Sequence, residues 1–125
     1  MPGLLRTIAT LLGAGFALQG LGSLVAPDRA AAGLGMGVLD GLGRSTQIGD
    51  FAAFFLTAGL TMLVGARPGR GRLLYVPAGL LGSAALGRTV AWAVHGAAFA
   101  STFIAVEVAT SLLLLAVARR DTADA

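Results

Sequence analysis

The chain contains no cysteine, which excludes disulfides, thiolate metal sites and thiol catalysis. It has no lysine either, since all nine basic residues are arginine. A single histidine with no cysteine beside it does not supply the several N or S ligands that zinc-type metals take. Neither a metal nor a cofactor is expected. Charge is scarce, at 12% of residues against about 25% in an ordinary soluble domain. Together with 56% hydrophobic residues and a mean hydropathy of +0.83, that deficit fits a chain whose main solvent is lipid. Period-2 alternation is missing, which argues against a β-barrel. There is no GxSxG, HExxH or Walker sequence, and no strand for a GxGxxG to follow. A Ser/His/acid triad can be assembled only by arbitrary choice, so no catalytic residue is assigned and the reading favours a non-enzymatic protein.

At 125 residues the chain makes one domain. A helix needs about 20 mostly apolar residues to cross the hydrocarbon core, and four segments qualify: residues 4–25, 48–66, 73–94 and 99–118. The first outlasts the roughly 7–15 apolar residues of a secretory leader and is expected to be retained as a helix. The stretch 26–47 is expected to be a loop, with Pro27 and Asp28 opening a short surface helix within it. "ARPGRGR" and "HGAA" make the two shorter turns. Pro77 sits where the first turn of a helix tolerates it, and Tyr75 suits the interface. The expected architecture is an all-α, four-helix transmembrane bundle.

The isoelectric point near 11.1 suggests nucleic acid, but the arginines sit at the ends of apolar runs without interleaved aromatics, so no nucleic-acid partner is expected. They report topology instead. Arg6, Arg67, Arg70, Arg72, Arg119 and Arg120 fall on one side, while Arg29 and Arg44 fall on the other with Arg88 inside a helix. The positive-inside rule then places both termini in the cytoplasm. Small residues recur every three to four positions at Thr10, Gly13, Ala17 and Gly20 in the first run, and at Gly79, Ser83, Gly87 and Ala91 in the third. Both stripes are expected to be helix-packing seams.

Depth brings the polar groups together. Arg88 lies about 9 Å short of the outer end of the third run, and Glu107 about 12 Å into the fourth. A short turn makes these helices antiparallel neighbours, so an ion pair is expected, because unpaired charges at this depth cost several kcal/mol. Gln19, Asp50, Trp92 and His95 fall near the same layer, with Arg44 close to it. Arg88, Trp92 and His95 share one helix face. The expectation is an outward-half pocket bearing Gln19, Asp50, Arg88, Trp92 and Glu107. The Arg88–Glu107 pair either clasps two helices or also receives a ligand.

With "GSLVAPDRAAAGLG", "RSTQIGD", "LGR" at residues 86–88, Gly96 and Glu107 in place, the chain resembles a family of small bacterial four-helix membrane proteins of unknown function. It is more distantly similar to the DoxX-like group. The family pattern has an Arg and a Gly-Gly pair entering the second helix. Here Asp50 stands at the second glycine position, and His95 stands where an acid is common. The resemblance implies a multi-pass protein of the bacterial inner membrane. The leading functional expectation is a non-enzymatic protein binding a small apolar or amphipathic ligand or lipid, or a partner membrane protein, with a homodimer as one form of partner. One alternative is a small proton-coupled carrier using Glu107 against Arg88. The other, implied by the DoxX-like resemblance, is an accessory subunit of a membrane redox complex or an enzyme acting on lipid or quinone.

Overall fold

The computed structural model describes residues 2–125. They form five α-helices, with no strand among the described residues. Helix α1 spans Pro2–Val25, α2 Pro27–Gly33, α3 Gly41–Gly65, α4 Tyr75–His95 and α5 Ser101–Ala123, and a 3-10 turn at Gly71–Leu74 leads into α4. Four of these elements (α1, α3, α4 with its leading turn, and α5) are long and apolar enough to cross a membrane. Their outer faces suit lipid. Leu4, Leu11, Leu18 and Val25, spaced every seven residues, form an exposed apolar stripe along α1, a surface that water would penalise and acyl chains would cover.

The helix starts and stops differ from the apolar runs in instructive places. The short helix expected to open at Pro27 is α2, whereas α3 begins at Gly41 rather than Ile48, inside the stretch expected to be a loop. Hydropathy reports contact with lipid, whereas helicity needs only backbone pairing. The polar first turns of α3 obtain that pairing, with the Arg44 amide donating to the Asp40 carbonyl at 3.2 Å. Between α2 and α3 the backbone turns through Gly35 at φ +78°, a conformation that glycine adopts without steric cost. α4 closes on Gly96 at φ +67°, and the Ala97 amide returns to the Ala91 carbonyl at 3.1 Å, a capping turn that satisfies an orphan carbonyl.

The long helices pack as two antiparallel pairs, α1 against α3 and α4 against α5. The first pair is held very close by glycine. A Cβ on Gly13 would lie 2.8 Å from Met62 Cβ, and one on Gly20 would lie 2.8 Å from the Leu56 backbone nitrogen. The stripe expected on α1 is therefore a packing seam at Gly13, Ala17 and Gly20. The stripe expected on α4 is not. Gly79, Ser83 and Gly87 are exposed, and nothing lies within 4 Å of a Cβ built on either glycine. α4 turns Pro77, Ala78, Leu81 and Ala85 inward instead.

The core lies at the end of the molecule that carries both termini. Ala9, Ala58, Met62, Leu74, Leu81, Leu114 and Ala118 are buried there. A polar latch closes the same end. Arg6 donates one guanidinium nitrogen to the Ala66 carbonyl at 3.0 Å and pairs through another with Asp121. Asp121 in turn accepts from the backbone amides of Gly69 at 3.1 Å and Gly71 at 2.7 Å. One carboxylate thus ties the start of α1, the α3–α4 turn and the end of α5 together. Asp121→Ala is expected to leave the Gly69 and Gly71 amides unpaired and to speed their hydrogen exchange about tenfold. Asp121→Asn, which retains an acceptor oxygen, should change them less.

Candidate functional site

Above this core, between the two helix pairs, lies a half-open cavity of about 910 Å³. Its walls are apolar, with five phenylalanines (Phe16 from α1, Phe51, Phe54 and Phe55 from α3, and Phe103 from α5) set among more numerous aliphatic side chains such as Leu81 and Ala84 of α4. The phenylalanines support one another, Phe16 and Phe55 with ring centroids 5.6 Å apart and Phe54 and Phe55 edge-on at 5.2 Å. "DFAAFF" places Phe51, Phe54 and Phe55 on one helical face by i, i+3, i+4 spacing. Leu11 of α1 and Val106 of α5 line the cavity yet are 67% and 49% exposed. The cavity therefore opens sideways between these two helices.

Leu34 and Met36 cover the cavity from the α2–α3 connection. That cover is fixed by Gln47, which the sequence reading passed over. The buried Gln47 side chain accepts from the Leu39 amide at 2.9 Å and donates to the Gly37 carbonyl at 3.0 Å. A buried amide satisfied on both sides orders the backbone that supplies its partners. α2, which leads into this connection, is tied to α1 through Gln19, which donates to the Ala30 carbonyl at 3.1 Å.

Four polar side chains line the cavity: Gln19, Asp50, Arg88 and Glu107. Arg88 Nε donates to Glu107 Oε1 at 2.8 Å, so the depth argument and the antiparallel hairpin bring these two residues together. The Arg88 guanidinium also lies 4.6 Å from the centroid of the Phe103 ring. Phe103 and Glu107 stand one turn apart on α5, so one cation meets an aromatic face and a carboxylate on the same helix. Glu107 is nine-tenths buried, and its second oxygen, Oε2, is buried without a hydrogen-bond partner. Asp50 is exposed at the cavity edge, and none of the hydrogen bonds or ion pairs among the described residues engages it.

Arg44, Trp92 and His95 do not line the cavity. Arg44 stays at the start of α3, where its Nε donates to the Leu39 carbonyl at 2.8 Å and a terminal nitrogen lies 3.6 Å from Asp40. Trp92 packs outward on Phe99 with ring centroids 5.0 Å apart. The linker before α5 thus takes the indole that helical spacing aligned with Arg88. His95 is exposed in the last turn of α4. Asp121 was missed altogether, and its only trace in the sequence is an acid beside the paired arginines Arg119 and Arg120.

Four apolar helices of this length fit a helical membrane protein. Comparison with protein-family models, with curated proteins and with solved structures finds no match.

Proposed function

We propose that the chain is a four-helix membrane bundle whose cleft takes up a small amphipathic molecule from the surrounding lipid. The observation that carries this reading is the cavity itself. It is mostly apolar, large enough for a drug-sized ligand, open between Leu11 and Val106, and marked by four polar side chains. A ligand entering sideways would leave its apolar body among the phenylalanines and bring its polar end to Arg88, Glu107 and Asp50. The exposed arginines of the opposite end, Arg67, Arg70, Arg72, Arg119 and Arg120, support a cytoplasmic position for both termini. The cavity then belongs to the outward half, in a bacterial plasma membrane.

Gly15 provides the test. It lies exposed at the cavity edge, and nothing lies within 4 Å of a Cβ built on it, so a large side chain fits there without displacing protein and can turn into the ligand space. In detergent micelles the wild-type chain is expected to bind the apolar fluorophore phenylnaphthylamine above the uptake by empty micelles. Gly15→Phe is expected to weaken that binding about tenfold, equivalent to about 1.4 kcal/mol. Equal binding by a folded Gly15→Phe variant would overturn the proposal.

A further inference from the structure

We infer that the molecule this cavity accepts is a lipophilic organic cation, a protonated amine carried on an apolar or aromatic body. The inference rests on the cavity being a ligand site, as proposed above, and adds the sign of the ligand's charge. Charge balance is the first argument. Two acids, Asp50 and Glu107, line the space against one base, Arg88. Arg88 is already engaged, by Glu107 at 2.8 Å and by the Phe103 ring beneath it. Asp50 is left as the uncompensated charge at the cavity mouth, where it attracts a cation and repels an anion.

Hydrogen-bonding capacity points the same way. Glu107 Oε2 is an acceptor on a side chain nine-tenths buried, with no donor facing it. The atom is sealed from the open part of the cleft, so a head group reaches it only as the side chains around it give way, and what it then calls for is an N–H or O–H group. An anionic head brings only more acceptors, whereas an ammonium brings donors and charge together. The walls supply the third argument. Five of the chain's six phenylalanines, Phe16, Phe51, Phe54, Phe55 and Phe103, line this one cavity. Aliphatic side chains would serve a neutral acyl chain equally well. Aromatic faces carry negative potential that attracts cations, and the Arg88 guanidinium over Phe103 already uses it.

Tetraphenylphosphonium and tetraphenylborate share a shape and differ in the sign of their charge, so they separate electrostatics from size. Binding of each to the full-length chain in micelles is measured by equilibrium dialysis, with uptake by empty micelles subtracted. The phosphonium is expected to bind about tenfold more tightly than the borate. Asp50→Asn, which loses no bond in the fold, is expected to reduce the ratio of phosphonium to phenylnaphthylamine binding about threefold. Glu107→Gln, which keeps an acceptor for Arg88 Nε, is expected to reduce that ratio about tenfold. If Glu107→Gln does not fold, Asp50→Asn decides alone. A preference for the borate, or an unchanged ratio in the folded variants, overturns the cation assignment. Gly15→Phe shows whether more than that falls. If it still blocks phenylnaphthylamine, the cavity remains a ligand site and only its charge preference was misassigned. If it blocks no probe, both inferences fail.

Discussion

Gly59→Ala is expected to separate α1 from α3 and cost about 3 kcal/mol, the upper range for overpacking a close-fitted contact. The added methyl would run into the backbone of α1. It would lie 2.7 Å from the Gly13 carbonyl oxygen, 2.8 Å from Ala17 Cα and closer still to the Ala17 nitrogen. A flexible side chain could swing aside, but a helix backbone has to move as a unit. Moving α1 outward would also open its contacts at Gly13 with Met62 and at Gly20 with Leu56, where the spacing is equally tight. Lipid gives no hydrophobic force to draw the pair back together, so lost van der Waals contact is lost stability. Helical content should survive, because every backbone bond within each helix remains. Detergent titration followed by protease susceptibility would report the loss of packing that circular dichroism misses. Gly87→Ala is the matched control. Its Cβ would meet nothing within 4 Å, and alanine gains up to about 1 kcal/mol over glycine within a helix. Equal stability of the two variants would refute the close-packed seam.

That contrast also marks how far the sequence could be read. The spans were legible because lipid thickness converts directly into run length. The two small-residue stripes look alike in the sequence, yet only the one on α1 meets a partner helix. Local spacing fixes which residues share a face, whereas the rotation of a helix about its axis is set by the other helices. The Arg88–Glu107 contact was legible for the opposite reason. The short connection at residues 96–100 leaves the antiparallel hairpin little freedom, so depth along each helix determines which residues meet. Trp92 lies one turn beyond Arg88 on the same face, but the linker residue Phe99 draws it outward, and no periodicity encodes that. Asp121 joins Arg6 across 115 positions. Its role becomes visible only when the ends of α1 and α5 and the α3–α4 turn are seen side by side.

The largest effects are expected at Arg88 and Glu107, and they should be unequal. Arg88→Met leaves a carboxylate nine-tenths buried with neither oxygen paired, and breaking a buried pair in this way costs about 3–5 kcal/mol. Glu107→Leu strands a guanidinium that remains one-third exposed and rests on the Phe103 ring. Partial solvation should hold that cost to about 1–2 kcal/mol. The double variant removes both charges and their desolvation, so it should be more stable than Arg88→Met and lie within about 1 kcal/mol of the wild type. Detergent-denaturation midpoints of the four proteins complete the cycle. Simple addition of the two single costs would mean that the residues do not act as a pair. The same double variant separates a clasp from a binding element. A clasp needs only two surfaces that fit, and the apolar replacement provides them, so uptake of tetraphenylphosphonium would be unchanged. The orphaned Oε2 and the uncompensated Asp50 argue for the other result, a chain that folds nearly as well and no longer distinguishes the cation from its anionic counterpart. A charged pair in lipid that contributes little net stability and yet governs which molecules enter the cleft would be there for recognition.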